Sequence, residues 1–134
     1  MLATDGQKVE RGVAYLAPGG RHLKLHWKGG TKPQVRLDDT GPVNYVRPSA
    51  DVLFSSAAEC LTCHTLAVIL TGMGSDGARG ALAIKKTGGK VIVQDEETSV
   101  VFGMPRAVIE AGAADSILPL EEIPKAIVEF LEEE

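Results

Sequence analysis

Hydrophobic and polar positions change their period about a third of the way along this chain, and the change separates two kinds of structure. Before it, apolar residues are spaced as in strands. "VAYLAP" is an apolar run stopped by Pro18, Gly19 and Gly20. In "HLKLHW", Leu23, Leu25 and Trp27 alternate with Lys24 and His26; after the turn "KGGTKP", "QVRLD" alternates again, with Val35 and Leu37 facing one way. Two alternating runs joined by a glycine-rich turn predict a hairpin with one wet face. Its histidines are then expected to be solvated face residues. His22, directly after the Pro-Gly-Gly turn, is also a candidate for substrate contact, because polar loop residues carry function more often than strand ones.

In "RPSADVLFSSAAECL" the period becomes helical. Leu53, Phe54, Ala57, Ala58 and Leu61 fall on one stripe, and Ser49 behind Pro48 takes the N-cap position. Strands and helices then alternate. "TLAVIL" reads as a buried strand, "SDGARGALAIKK" as a helix closed by Gly88 and Gly89, and "KVIVQ" as a second strand. "PRAVIEAG" is a helix between Pro105 and Gly112, "DSILP" a third strand, and "LEEIPKAIVEFLEEE" a last helix with Ile123, Ile127 and Leu131 on one face. Pro124 fits only a first turn. Short apolar strands separated by helices predict a parallel sheet covered on both faces. The expected fold class is therefore α/β, doubly wound and mostly parallel, with an appended β-hairpin. The 134 residues suit one domain spanning 1–134.

Composition narrows the function classes. A net charge of −4 gives no basic footprint for nucleic acid, and the acidic end "EFLEEE" would be repelled by an anionic membrane. The longest apolar run, near Leu66 to Leu70, falls far short of the ~20 residues that cross a bilayer, so no membrane insertion is expected. Without a charged leader ahead of an apolar stretch, cytoplasmic location is expected. The cysteines stand in "CLTCH", Cys60 to His64, the spacing of haem attachment or of a redox pair. Cytoplasmic location favours two reduced thiols at a helix end instead. No metal or cofactor is expected.

The stretch "TGMGSDG", residues 71–77, carries the candidate chemistry. Gly72, Gly74 and Gly77 have dinucleotide-loop spacing after a strand, and Asp95 lies where a ribose-binding acid would be expected. Against that reading, Asp76 places a negative charge at the helix start where a pyrophosphate would sit. A second reading has the loop aim the Asp76 carboxylate at a histidine, with amides around Gly72, Met73 and Gly74 holding an oxyanion. A third makes Asp76 a helix N-cap. Spacing alone does not separate cap from catalyst.

Four stretches, "AYLAPGGRHL", "VNYVRPSADVLF", "VILTGMGSDGARG" and "VVFGMPRAVIEAGAAD", resemble in this order the C-terminal part of the chemotaxis protein-glutamate methylesterase (CheB) family, across essentially the whole chain. The resemblance implies hydrolysis of glutamyl methyl esters, and deamidation of glutamines, on chemoreceptors by a Ser-His-Asp triad. It puts the triad aspartate at Asp76 and the oxyanion loop at Met73 with Gly72 and Gly74. The family's serine lies in a serine-threonine-glycine-glycine turn and its histidine in a glutamine-histidine-methionine-proline turn; neither turn occurs in this sequence. The implied object is an incomplete methylesterase-type domain without a receiver domain, inactive alone. Its partner would be a methylated chemoreceptor, an acidic helical substrate that Arg47 and Arg106 would steer unless they pair locally. The missing strands would leave an open sheet edge for self-association or for a complementary chain. Two alternatives stay open: a non-catalytic interaction module of chemotaxis signalling, and a nucleotide-binding α/β domain using residues 72–77.

Overall fold

The computed structural model describes residues 1–133. Strands β1 (His22–His26) and β2 (Gln34–Asp38) form the expected antiparallel hairpin, with Leu23 opposite Leu37 and Leu25 opposite Val35. Its apolar side closes a small core of Ala3, Leu23 and Val35, with Tyr15, Leu37 and Leu53 packed around them. Both edges of the hairpin are covered. Helix α1 (Ala50–Leu61) lies along β1: the Leu25 amide donates to Ser56 Oγ, and Cys60 Sγ donates to the Leu25 carbonyl. The N-terminal segment runs beside β2, where Gly6 N–H donates to Val35 O, Val35 N–H to Gln7 O and Val9 N–H to Pro33 O. Such cover removes the open ladder that an edge strand would otherwise present.

"VAYLAP" forms no strand. Only an isolated bridge joins Leu2 to Leu16, and both leucines are exposed, so the run has no sheet to enter. Tyr15 instead ties the segment locally, its hydroxyl donating to Lys8 O and accepting from Glu10 N–H.

The rest is an α/β unit. Strands β3 (Leu66–Ile69), β4 (Lys90–Gln94) and β5 (Ser116–Leu118) are parallel and lie in that order. Helix α2 (Ala78–Lys86) links the first two, and α3 (Met104–Glu110) the second two. Ala67, Ile69, Val91 and Val93 share a core with Ala81, Ile84 and Val108 of these helices. On the other face, Leu66 and Ile92 look across a crevice of about 320 Å³ toward Ala126 and Phe130 of α4 (Ile123–Glu132). Ile123 is buried, but Leu131, expected on the same face, is 63% exposed. Among the described residues β3 pairs on one side only, with β4.

One contact sets how the helix starts meet. Helices α1 and α2 touch at Gly80, where a Cβ would sit 2.5 Å from Phe54 Cβ and 3.1 Å from Asp51 Cα. Only glycine permits that approach, and it brings the N-termini of the two helices together. Among the described residues no helix is long and apolar enough to cross a membrane.

Candidate active site

At this meeting of helix starts two carboxylates are exchanged. Asp76 precedes α2 but caps α1: its Oδ2 accepts from Ala50 N–H at 2.6 Å and its Oδ1 from Asp51 N–H at 3.3 Å. Asp51, in the first turn of α1, returns the bond, its Oδ1 accepting from Gly80 N–H of α2 at 2.7 Å. Asn44 Nδ2 ties the pair together, donating to Asp51 Oδ2 at 2.7 Å and to Asp76 Oδ1 at 2.9 Å. Ser49 occupies the N-cap position of α1 but caps nothing with its side chain; its Oγ–H donates to Asp76 Oδ1 at 2.6 Å. Each helix start thus receives negative charge where its dipole favours it, from a residue of the other helix region.

Asp76 is only 7% exposed. Burial pushes its carboxyl up, but the hydrogen bonds from Ser49, Asn44 and the Ala50 and Asp51 amides outweigh it and hold the group below the ordinary 3.8. The result is a fixed, ionised carboxylate. Oδ2 accepts one bond from the described residues, and a carboxylate oxygen has room for a second.

His22, Ser49 and Asp76 lie in one connected cluster, so all three residue types of a hydrolytic triad are present. They are not wired as one. His22 is fully buried; its Nδ1 accepts from Ser49 N–H at 3.1 Å and its Nε2 donates to Gly41 O at 2.9 Å. Both ring nitrogens are committed, the imidazole touches neither hydroxyl nor carboxylate through them, and no face is open to substrate. The expectation of a solvated His22 is corrected: it sits where the hairpin meets the 41–49 loop, and its ring polarity is answered by backbone.

The glycine loop closes onto the loop after β4. Gly72 N–H donates to Val101 O, and Gly72 O accepts from Gly103 N–H and Met104 N–H. The Gly72 amide is therefore not available to an oxyanion. The Met73 and Gly74 amides have no acceptor among the described residues, and Met73 is 83% exposed. Packing explains the glycines: a Cβ on Gly72 would meet Met104 Sδ at 2.7 Å, while Gly74 and Gly77 have φ of 93° and 102°. In the nucleotide reading, the start of α2 should be free to receive phosphate, yet Asp51 fills it. Asp95 is likewise engaged, its Oδ1 accepting from Thr98 N–H and Thr98 Oγ–H.

The arginines take local partners. Arg47 donates to the carbonyls of Asp39 and Thr40; Arg106 pairs with Glu96 at 3.2 Å and lies 5.6 Å above the Phe102 ring centroid. Cys60 and Cys63 are free thiols. Asn44 and Asp51 were not singled out from the sequence, and Ser49 was expected only as the N-cap of α1, not as a donor to Asp76. The available signal was an acid at each of two helix starts, Asp51 and Asp76, with nothing local to say that they trade partners.

Comparison with known proteins agrees on one family. The family model described as CheB methylesterase matches residues 1–127. A protein-glutamate methylesterase/protein-glutamine glutaminase of Pyrococcus abyssi is 46% identical over 97% of this chain and 35% of its own length. The protein of that name from Chromohalobacter salexigens is 51% identical over 97% of this chain and 36% of its own. The crystal structure of the Thermotoga maritima CheB methylesterase catalytic domain superposes with a TM-score of 0.91 at 49% identity, covering 95% of this chain and 67% of that one. The chain spans about a third of the length of these two curated relatives.

Proposed function

This chain belongs to the CheB methylesterase family, and on that premise we propose that it contributes the carboxylate and oxyanion loop of a Ser-His-Asp site that hydrolyses glutamyl methyl esters, and glutamine amides, on chemoreceptors. The observation that carries the reading is Asp76: buried, ionised, fixed by four donors, and with an acceptor position left on Oδ2. Such a group suits an imidazole N–H, which it would hold in one tautomer and stabilise as the imidazolium forms. The imidazole takes the proton of an attacking serine hydroxyl, the ester carbonyl becomes a tetrahedral oxyanion against the Met73 and Gly74 amides, and methanol leaves with the proton returned. Water then repeats the sequence on the acyl-enzyme.

We infer that the serine and imidazole come from residues outside those described. Ser49 is buried and bonded directly to the carboxylate, and both nitrogens of His22 are occupied. We infer that the completing polypeptide pairs along the free side of β3, which would bring its strand ends beside the 71–77 loop. Arg47 and Arg106 are the proposed steering charges for an acidic receptor helix, released from carbonyl and Glu96 partners on binding.

The test is methanol release from a methylated receptor by the chain alone, and by the chain mixed with the N-terminal third of the Thermotoga maritima catalytic domain. The expected result is no release alone and release in the mixture. Turnover by the chain unaided would contradict the reading.

A further inference from the structure

The charge of this protein is unevenly placed. Residues 21–37 carry five cations, Arg21, Lys24, Lys28, Lys32 and Arg36, and no carboxylate; the rest of the chain therefore holds nine cations against eighteen carboxylates. The register of the hairpin sharpens this. Lys24 stands directly opposite Arg36, and His26 opposite Gln34 on the same outward face. Like charges in direct cross-strand positions destabilise a hairpin, so the pairing runs against the stability of its own element. Arg21 is paired with Asp39, Lys24 lies 3.6 Å from Asp38, and Lys32 pairs with Glu10. Among the described residues Lys28 and Arg36 have no carboxylate partner.

The outward face is hollowed. A depression of about 610 Å³ is lined by Lys24, His26, Arg36, Asp38 and Asp39 among others, and one of about 260 Å³ by His26, Lys28, Lys32 and Arg36 among others. They share His26 and Arg36 and so form one groove along the strands. Lys24 and His26 are two residues apart on β1, a step of about 7 Å along extended chain, and Lys28 follows in the bend just past the strand. That step is also the one between alternate side chains of a second extended peptide. One small anion cannot span it. A long polyanion would overrun the carboxylates of Asp38 and Asp39 at one end and meet the acidic remainder of the molecule.

From this we infer that the outer face of the β1–β2 hairpin is a docking groove for a short, extended acidic peptide with carboxylates at every second position. Lys24, Arg36 and Lys28 neutralise its charges and His26 donates a hydrogen bond between them. The groove is separate from the Asp76 site, and its readout is binding, which involves no ester turnover.

The probe is a fluorescein-labelled Glu-Ser-Glu-Ser-Glu peptide, followed by anisotropy with the whole chain. Saturable binding is expected, lost progressively as salt rises from about 0.1 M to about 1 M, where the screening length shrinks to about 3 Å. Arg36→Glu should weaken it by about tenfold or more, and Arg36→Lys should keep it. Arg36→Glu also replaces a repulsive cross-strand pair by an attractive one, so its thermal midpoint should equal or exceed the parent's. Equal binding by Arg36→Glu, equal binding of the permuted peptide Ser-Ser-Glu-Glu-Glu, or tighter binding of a short single-stranded DNA at the same residues would each overturn the inference.

Discussion

The carboxylate of Asp76 accepts the first amides of α1, a neighbouring hydroxyl and a neighbouring carboxamide, so replacing it touches stability as well as chemistry. Asp76→Ala leaves Ser49, Asn44 and two helix-start amides without their acceptor, and we expect a loss of about 2–3 kcal/mol in urea unfolding. The pH dependence has a definite sign. Hydrogen bonding, opposed by burial, holds the folded pKa below 3.8, so this stabilisation is complete above the ordinary aspartate value and disappears as pH falls through the folded one. Asp76→Asn should therefore flatten the acid limb of the stability profile below pH 3.8 without abolishing it, since Asp38 is also held low, chiefly by the Thr40 hydroxyl and amide. Asn44→Ala removes one donor, and the Asp76 carboxyl should titrate at higher pH by NMR. An unmoved titration would show that Asn44 does not act on it. None of this wiring was legible in the sequence: Asp76 meets Asn44, Ser49, Ala50 and Asp51 at separations of 25 to 32 residues. A cap motif reads only its own helix, which is why Asp76 looked like a cap for α2.

Helices and strands were read far better, because their borders follow from apolar period and glycine or proline stops. The hairpin, α1 and the run from β3 to α4 fall where the spacing placed them. "VAYLAP" failed because an apolar run predicts burial only where a partner surface exists, and Val13 and Leu16 have none. The reciprocal caps depend on how closely α1 and α2 approach, and Gly80 controls that distance. Gly80→Ala adds a methyl group where Phe54 Cβ and the Asp51 backbone already lie. It should cost about 1–3 kcal/mol despite the better helix propensity of alanine. Gly30→Ala, at a turn position with nothing within 4 Å and no left-handed φ, should stay within about 0.5 kcal/mol of the parent. Equal costs at both positions would remove the packing explanation.

In the molecule as a whole, a well-packed sheet face under α2 and α3 contrasts with a thinner cover by α4 and a β3 strand paired on one side among the described residues. Unpaired strand edges recruit other strands. The chain by itself should show a weight-average mass that rises with concentration in sedimentation, and a monomer throughout would mean that the edge is protected. Family membership was legible because four stretches matched in order, whereas the wiring that keeps His22, Ser49 and Asp76 from acting as a triad needed coordinates. The decisive measurement is kcat for methyl-ester hydrolysis by the completed site, with and without Asp76→Asn. If this carboxylate orients the imidazole, the variant should lose about 10⁴-fold in kcat with KM little changed and a folded spectrum. A folded variant within about tenfold of the parent would reduce Asp76 to a helix cap.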